Sequence, residues 1–218
     1  MKNSELFDLR RTLAAPYLSR FTYPWEALTG LSAFISYLGK TLSEREYTEV
    51  TPDVYIHRTA HVAKTALIEP PAIIGAMTEI RHGAYLRGAV LAGEHCVIGN
   101  STEVKNAILF DRVQIPHFNY VGDSILGHRA HFGAGVITAN VRLDHGAVTI
   151  HGDKPYATGR GKCGAMVGDF AEIGSGSVLC PGAIVGRSAM IYPLSTVRGV
   201  VPENAIWKND GNILHKGG

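Results

Sequence analysis

The sequence predicts a β-solenoid of hexapeptide repeats with an N-terminal helical region and one insertion loop. Three observations predict it: aliphatic residues recur every six positions, small or β-branched residues recur four positions after them, and glycine is abundant, with 25 in 218 residues. A period of six matches neither the 3.6-residue turn of a helix nor the two-residue alternation of an ordinary strand. It is typical of coils in which each hexapeptide forms one short strand and one turn.

Two stretches keep the six-residue period strictly, and the stretch between them keeps it more loosely. The strict series are Val50, Ile56, Val62, Ile68, Ile74, Ile80, Leu86 and Val167, Ile173, Leu179, Val185, Ile191, Val197. The positions in between are Ile98, Val104, Ile115, Val121, Phe132 and Thr138, where residues one coil apart are separated by 17. Three hexapeptides per coil therefore predict coils of about 18 residues, shortened by one in the middle. Glycines often follow the aliphatic position, where we expect their backbone freedom to help the turn.

Two segments lie outside the repeat. Residues 1–47 have helical spacing, with Ser4 as a candidate N-cap and Pro24 at the start of a second helix. We expect this helical region to pack on the first coil and cap it, because the end coil of a solenoid exposes apolar surface. Residues 48–218 form the predicted solenoid domain, and within them residues 141–166 break the repeat and predict an insertion loop.

Charge and hydropathy exclude several classes of protein. The 21 Lys and Arg nearly balance the 19 Asp and Glu, and no dense basic run points to nucleic acid or to an anionic membrane. The N-terminus is polar, so it predicts no secretory signal, and no apolar run approaches the roughly 20 residues of a membrane span. The three cysteines form no CxxC pair, which argues against a disulfide framework or a zinc ribbon. We therefore expect a cytoplasmic protein.

Two cations are predicted to stack on the outside of the solenoid. Arg87 follows Leu86 and Lys105 follows Val104, so the cations are 18 residues apart, which is one full coil. Outward positions on adjacent coils lie about 4.8 Å apart, and an anion such as a phosphate would relieve the repulsion between the two charges. The alternative is that each cation pairs with a nearby acid such as Glu103.

The segment IPHFNYVGD carries the candidate proton acceptor. The register places His117 and Tyr120 outward between two core positions. A neutral histidine, with its usual pKa near 6.5, accepts protons at cell pH, although a surface histidine is more often only solvated. Asn119 falls at an inward position, where its amide requires a local hydrogen bond.

Four separated motifs, LRGA, EVKN, PHFNYVGDSI and GAGVITAN, resemble the acetyltransferase domain of bacterial bifunctional N-acetylglucosamine-1-phosphate uridyltransferases. They are more similar still to the matching domain of archaeal sugar-1-phosphate nucleotidylyltransferases, and the likeness extends loosely through TGRGKCGAMVGD to the end of the chain. The resemblance implies a left-handed parallel β-helix. It also implies acetyl-CoA as co-substrate and a homotrimer with its sites between subunits.

The resemblance assigns expected roles to the matching residues. His117 matches the general base that takes a proton from the amine of an amino-sugar 1-phosphate. The residues that match those holding the sugar phosphate or orienting the sugar are Arg87, Lys105, Tyr120 and Asn140. One lysine of that family falls on Gly146 here, and a cation of the insertion loop is the expected replacement: Lys154, Arg160 or Lys162.

The coenzyme-binding residues match the family less completely. Ala134 and Ser175 match residues that line the coenzyme A groove. Pro193 stands where the bacterial enzymes have a small residue, and Asp210 stands where they have an arginine. Lys208 is the nearest cation and is the expected partner of the coenzyme in this region.

The relatives named by this resemblance begin with a nucleotide-binding domain whose glycine-rich loop cradles phosphates. The first glycine here is Gly30, so we expect no nucleotidyltransferase domain and no nucleotidyltransferase activity. The leading hypothesis is an acetyl-CoA-dependent N-acetyltransferase acting on an amino-sugar phosphate. The alternative is a non-catalytic relative that binds a sugar phosphate or nucleotide sugar as a scaffold.

A third hypothesis is a zinc lyase, because a carbonic-anhydrase class shares this solenoid. The candidate ligands are His117, His128, His131 and His145. Their spacing does not match the motif expected of that class, so no metal is expected.

Overall fold

The structure is a computed structural model that describes residues 1–215, and most of it is a β-solenoid. The helices are α1 (Asn3–Leu6), α2 (Ala15–Leu18) and α3 (Leu31–Gly39), with 3-10 helices at Leu9–Arg11 and Pro24–Thr29. The strands are β1 (Tyr47–Thr51), β2 (Val54–His57), β3 (His61–Val62), β4 (Leu67–Glu69), β5 (Ala72–Ile74), β6 (Glu79–Ile80), β7 (Tyr85–Arg87), β8 (Val90–Ala92), β9 (Val97–Asn100), β10 (Glu103–Leu109), β11 (Gln114–His117), β12 (Tyr120–Leu126), β13 (His131–Phe132), β14 (Ile137–Thr138), β15 (Thr149–His151), β16 (Pro155–Ala157), β17 (Met166–Val167), β18 (Glu172–Ile173), β19 (Val178–Leu179), β20 (Ile184–Val185), β21 (Met190–Ile191), β22 (Thr196–Val197), β23 (Val200–Val201), β24 (Ala205–Trp207) and β25 (Ile213–His215).

The parallel strands stack into three walls. The first wall holds β2, β5, β8, the second halves of β10 and β12, β17, β20 and β23. The second wall holds β3, β6, β9, β11, β13, β18, β21 and β24. The third wall holds β4, β7, the first halves of β10 and β12, β14, β19 and β22. The predicted β-solenoid is therefore confirmed.

The strand register also confirms the predicted coil lengths. Neighbouring coils are offset by 18 residues at the start, by 17 in the middle, by 41 across the insertion and by 16 at the end. The residue pairs that show these offsets are Val54–Ala72, Val104–Val121, Phe132–Ile173 and Val185–Val201. The shortening at the end did not stand out in the sequence, because the six-residue series stops at Val197.

The interior is filled by the inward aliphatic positions, as the repeat predicts. Ile80, Leu86 and Ile98 have no exposed surface. The start of the first series is wrong, however. Val50 lies on β1, which pairs antiparallel with β2, and 51% of its surface is exposed. Val50 lies six residues before Ile56 and so matches the six-residue period, but it precedes the first coil and does not face the interior.

The N-terminal helical region contacts the first coil, where Ser36 Oγ donates to Asp53 Oδ2 at 3.2 Å, but it is not confined to that end of the solenoid. It runs along the first wall: α3 packs on β5, β8 and β10, and the 3-10 helix Pro24–Thr29 packs on β12. Further along, the backbone N–H of Asp8 donates to Asp169 Oδ2 at 2.7 Å. The outward residues Ile73 and Leu91 of this wall are apolar and fully buried, so this cover removes apolar surface of the wall from water.

The start of the first helix also differs from its expected position. Ser4 lies inside α1, whose N-cap is Lys2. Pro24 begins the second helical stretch as predicted. None of the helices described within residues 1–215 has the length and apolar character that a membrane span requires.

The insertion contains a β-hairpin, β15–β16, that packs back on the solenoid. Val148 and Ile150 are buried, and a Cβ on Gly182 would lie 2.9 and 3.0 Å from their side chains. Tyr156 meets the ring of Trp25, with centroids 6.0 Å apart. The insertion is therefore joined to both the first wall and the N-terminal region.

Candidate functional site

The strand register places the two predicted cations at successive positions of the third wall. Leu86 pairs with Val104, and Arg87 and Lys105 each follow by one residue. Lys105 in turn pairs with Gly122 on the next coil. The outward column therefore runs from two cations to a residue with no side chain, which leaves space beyond them.

Both cations have acidic partners within the chain. Arg87 Nη1 donates to Glu103 Oε1 at 2.7 Å, and Lys105 Nζ lies 3.8 Å from Asp123 Oδ2. The alternative partner expected for Arg87 is thus present. The first pair is exposed enough to be weak, since 41% and 31% of its side chains are accessible, so an anion can compete for Arg87.

Asp123 is the centre of the site, and the sequence did not single it out. It is 3% exposed, and its carboxylate accepts hydrogen bonds from Asn106 Nδ2 at 2.7 Å and Asn140 Nδ2 at 2.6 Å. Arg160 Nη2 lies 3.6 Å from Asp123 Oδ1, so the carboxylate has a second cation near it in addition to Lys105. The sequence did contain a signal for this site: Asn106 and Asp123 are 17 residues apart, which is one coil, and both are of types that tolerate the left-handed backbone. Both adopt it, with φ of 46° and 48°.

Tyr120 crosses the space left by Gly122. Its hydroxyl accepts a hydrogen bond from Asn140 Nδ2 at 3.3 Å. A Cβ on Gly122 would lie 2.5 Å from Tyr120 Oη and 2.9 Å from Asn140 Nδ2. Burial and the nearby Glu103 carboxylate raise the pKa of Tyr120, so its hydroxyl keeps its proton and can donate to a ligand.

One cation of the insertion reaches this site. Arg160 Nη1 donates to Thr29 Oγ1 at 2.6 Å, and Arg160 Nε donates to the carbonyl of Lys162 at 3.0 Å. These contacts hold its guanidinium beside Asp123. Of the three expected replacements, Lys154 instead lies over the hairpin tyrosine, 5.3 Å from the ring centroid. Arg160 therefore joins Arg87 and Lys105, and these three cations form the third-wall cluster.

His117 lies at the corner between the second and third walls, at the end of β11. Its backbone N–H donates to Asn119 Oδ1 at 3.2 Å, and Asn119 Nδ2 donates to the carbonyl of Gly133 at 2.8 Å. The inward amide of Asn119 is thus satisfied by the turn that carries His117. The imidazole is exposed and forms no hydrogen bond with any of residues 1–215, so it is available to a ligand.

The first two predicted coenzyme-binding residues continue the same corner. Gly135 N–H donates to the carbonyl of His117 at 3.0 Å, and Gly176 N–H donates to the carbonyl of Ala134 at 2.8 Å. His117, Ala134 and Ser175 therefore occupy one edge on three consecutive coils. All three are exposed.

The third predicted coenzyme residue lies at the far end of the solenoid. Lys208 begins the turn between β24 and β25, and its N–H donates to the carbonyl of Asn212 at 2.9 Å. Asp210 accepts from Asn212 N–H at 3.0 Å in the same turn. Pro193 is exposed at the corner on the coil after Ser175.

The histidines considered for a metal have separate surroundings. His128 is 8% exposed and packs against the ring of Phe170. His131 Nδ1 lies 2.7 Å from Glu172 Oε2. In the chain from residue 1 to residue 215, no group of three His, Cys, Asp or Glu side chains is placed to hold a metal ion.

Stacked coils of 16 to 18 residues define a hexapeptide-repeat β-solenoid protein, and this one carries cations on one wall and an exposed histidine at the corner of that wall. No family model matches the chain. It is 31% identical over 204 residues to the bifunctional protein GlmU of Methanococcus maripaludis, which covers 92% of this chain and 49% of the relative. It is 37% identical over 115 residues to a bifunctional sugar-1-phosphate nucleotidylyltransferase/acetyltransferase of Sulfurisphaera tokodaii, which covers 52% of this chain and 29% of the relative.

The chain is thus a relative of the bifunctional GlmU and sugar-1-phosphate nucleotidylyltransferase/acetyltransferase proteins, as its motifs predicted. It spans about half the length of the curated relatives that match most of it. Among solved structures, the polysialic acid O-acetyltransferase OatWY superposes with a TM-score of 0.48 at 11% identity, covering 72% of this chain and 84% of that one.

Proposed function

We propose that the chain is an acetyl-CoA-dependent N-acetyltransferase that acts on an amino-sugar phosphate, with His117 as the general base. The observation that carries the proposal is that one wall holds the third-wall cluster of Arg87, Lys105 and Arg160 and begins at the corner of His117, whose imidazole has no hydrogen-bond partner in residues 1–215. The relation to a sugar-1-phosphate nucleotidylyltransferase/acetyltransferase supports it.

The sugar phosphate binds across the third wall. Arg87 leaves its exposed pair with Glu103 and, together with Lys105, holds the phosphate, because charge-assisted hydrogen bonds to a doubly charged oxyanion are stronger than those to a carboxylate in water. Tyr120 and Asn140 orient the sugar through its hydroxyls. These two side chains already touch each other, so little further ordering is needed.

The transfer forms one bond and breaks one bond. The amine nitrogen of the sugar attacks the thioester carbonyl carbon of acetyl-CoA, the new C–N bond forms, and the C–S bond breaks. His117 takes the proton that the amine loses and returns it to the thiolate of coenzyme A. The pantetheine arm follows the edge of Ala134 and Ser175, and Lys208 serves a phosphate of the coenzyme.

We further propose a cytoplasmic homotrimer in which the sites lie between subunits. The first wall is covered by the N-terminal region and the hairpin, whereas the second and third walls carry exposed side chains. The uncovered walls are the ones available to neighbouring subunits. A groove between them would shelter the long coenzyme arm.

A second candidate is a non-catalytic protein that binds a sugar phosphate or nucleotide sugar. One observation favours it: each cation of the third-wall cluster already has an acidic partner, Glu103 or Asp123. Such a cluster can bind ligand weakly and reversibly without supporting chemistry.

The test is thiol release from acetyl-CoA in the presence of glucosamine 1-phosphate, compared between the wild type and His117→Ala. A general base contributes about 10²- to 10⁴-fold, so kcat should fall by that factor in the variant. His82→Ala is the matched control, because His82 is also exposed and lies near the same corner two coils earlier. Turnover in both variants would reject the base, and binding of the sugar phosphate without turnover in the wild type would support the second candidate.

A further inference from the structure

A separate groove of about 430 Å³ lies at the corner between the first and second walls, where the chain passes from β8 to β9 and in the coils that follow. Its lining residues are His95, Arg112, Gln114, Arg129, His131 and Glu172. None of them belongs to the third-wall cluster or to the edge that carries His117. The groove is therefore a different site from the one proposed for acetyl transfer.

Three basic residues stack at this corner on consecutive coils. Arg112 N–H donates to the carbonyl of Glu94 at 2.7 Å, and Arg129 N–H donates to the carbonyl of Asp111 at 3.1 Å. These bonds place His95, Arg112 and Arg129 one above another, at the strand spacing of about 4.8 Å. All three are exposed.

The two arginines lack acidic partners. Two other arginines of the solenoid are paired, Arg81 with Glu79 at 3.1 Å and Arg87 with Glu103 at 2.7 Å. Within residues 1–215, the guanidinium groups of Arg112 and Arg129 form no ion pair or hydrogen bond.

Two acids close to the arginines in the fold have other partners. Asp111 Oδ1 accepts from the N–H of Glu94 at 2.9 Å, and Glu172 is bonded to His131 at 2.7 Å. The repulsion between two stacked guanidinium groups is therefore not compensated within the described chain.

We propose that this groove binds the diphosphate of a small ligand between Arg112 and Arg129. Each guanidinium offers a planar fork that matches one phosphate. Two linked phosphates give each stacked guanidinium group its own pair of oxygens, whereas a single phosphate would have to share its oxygens between the two groups. Gln114 and the stacked His95 supply further donors, and Glu172 closes the far end against a longer anion.

The experiment is calorimetric titration of the full chain with sodium diphosphate at low salt, for the wild type, Arg112→Gln and Arg129→Gln. Arg198→Gln is the matched control, because Arg198 is exposed on the third wall and its loss changes the net charge equally. We expect one site per chain and at least a tenfold loss of affinity in each groove variant, with no change in the control. Diphosphate should raise the thermal unfolding midpoint of the wild type but not that of Arg112→Gln or Arg129→Gln.

Three results would overturn the proposal. The first is a loss of diphosphate affinity in Arg198→Gln equal to that in the groove variants. The second is that the wild type binds orthophosphate as tightly as diphosphate. The third is that the wild type binds no diphosphate while Arg112→Gln changes the oligomeric mass. The last result would assign the groove to contact between copies. ADP and coenzyme A are then titrated, since both carry a diphosphate, and the one whose affinity falls in Arg129→Gln presents its diphosphate to the groove.

Discussion

At the scale of single residues, a buried carboxylate determines the shape of the candidate site. Asp123 accepts from two asparagine amides and lies beside Lys105 and Arg160. Lys105 and Asn106 belong to the preceding coil, Asn140 ends the coil before the insertion, and Arg160 lies within the insertion. One carboxylate therefore fixes side chains that the proposed reaction needs in one place.

Asp123→Asn should destabilise the protein by about 1–3 kcal/mol, because one amide hydrogen would then oppose a buried donor and two cations would lose their counter-charge. Urea unfolding followed by circular dichroism measures this loss. Glu103→Gln is the control from the same site: it removes one charge from an exposed pair, which contributes about 0–1 kcal/mol. Equal losses in the two variants would show that Asp123 is not the organising residue.

The register predicted which residues of IPHFNYVGD face outward, because the two core positions fix the positions between them. It predicted an inward Asn119 and required a hydrogen bond, which the carbonyl of Gly133 provides. It could not predict the partners of Asp123. Arg160 reaches it from an irregular insertion, and Thr29, which holds Arg160, is 131 residues away along the chain.

At the scale of elements, the N-terminal region and the hairpin together cover one wall of the solenoid. Trp25 is 3% exposed and stacks on Tyr23 with ring centroids 4.7 Å apart, while Tyr156 of the hairpin packs against both. The helical spacing of residues 1–47 predicted helical structure, although the first predicted helix is divided into three short turns, and it did not predict how far the region extends along the solenoid. The location of the region depends on the apolar outward face of the first wall, which only the assembled coils reveal.

Trp25→Ala should lower the free energy of unfolding by about 3–5 kcal/mol, because it removes a large buried side chain from the contact between these elements. Denaturant unfolding measures the change. Tyr37→Ala is the control: Tyr37 belongs to the same region on α3 but is 70% exposed, and its loss should change stability by no more than about 0.5 kcal/mol. A small effect of Trp25→Ala would mean that the N-terminal region is not anchored through this aromatic cluster.

At the scale of the whole molecule, the coils stack closely because several positions carry no side chain. We expected glycine after the aliphatic positions to supply backbone freedom, and that reason is wrong for the tightest of them. Gly99 has no left-handed φ; instead, a Cβ there would lie 1.5 Å from the carbonyl oxygen of Pro116 on the next coil. The six-residue period predicted the architecture, whereas the distance between coils required the coordinates.

Gly99→Ala therefore tests how the solenoid is held together along its axis. The added methyl group meets backbone atoms, so the two coils must separate, and the contacts between adjacent coils that stabilise a solenoid are weakened. We expect a loss of at least about 1–3 kcal/mol, seen as a lower midpoint in thermal and denaturant unfolding. Gly161→Ala is the matched control, because a Cβ at that position has no heavy atom within 4 Å, and its midpoint should match the wild type. If Gly99→Ala unfolded like Gly161→Ala, the close approach of the coils would not limit the stability of the fold.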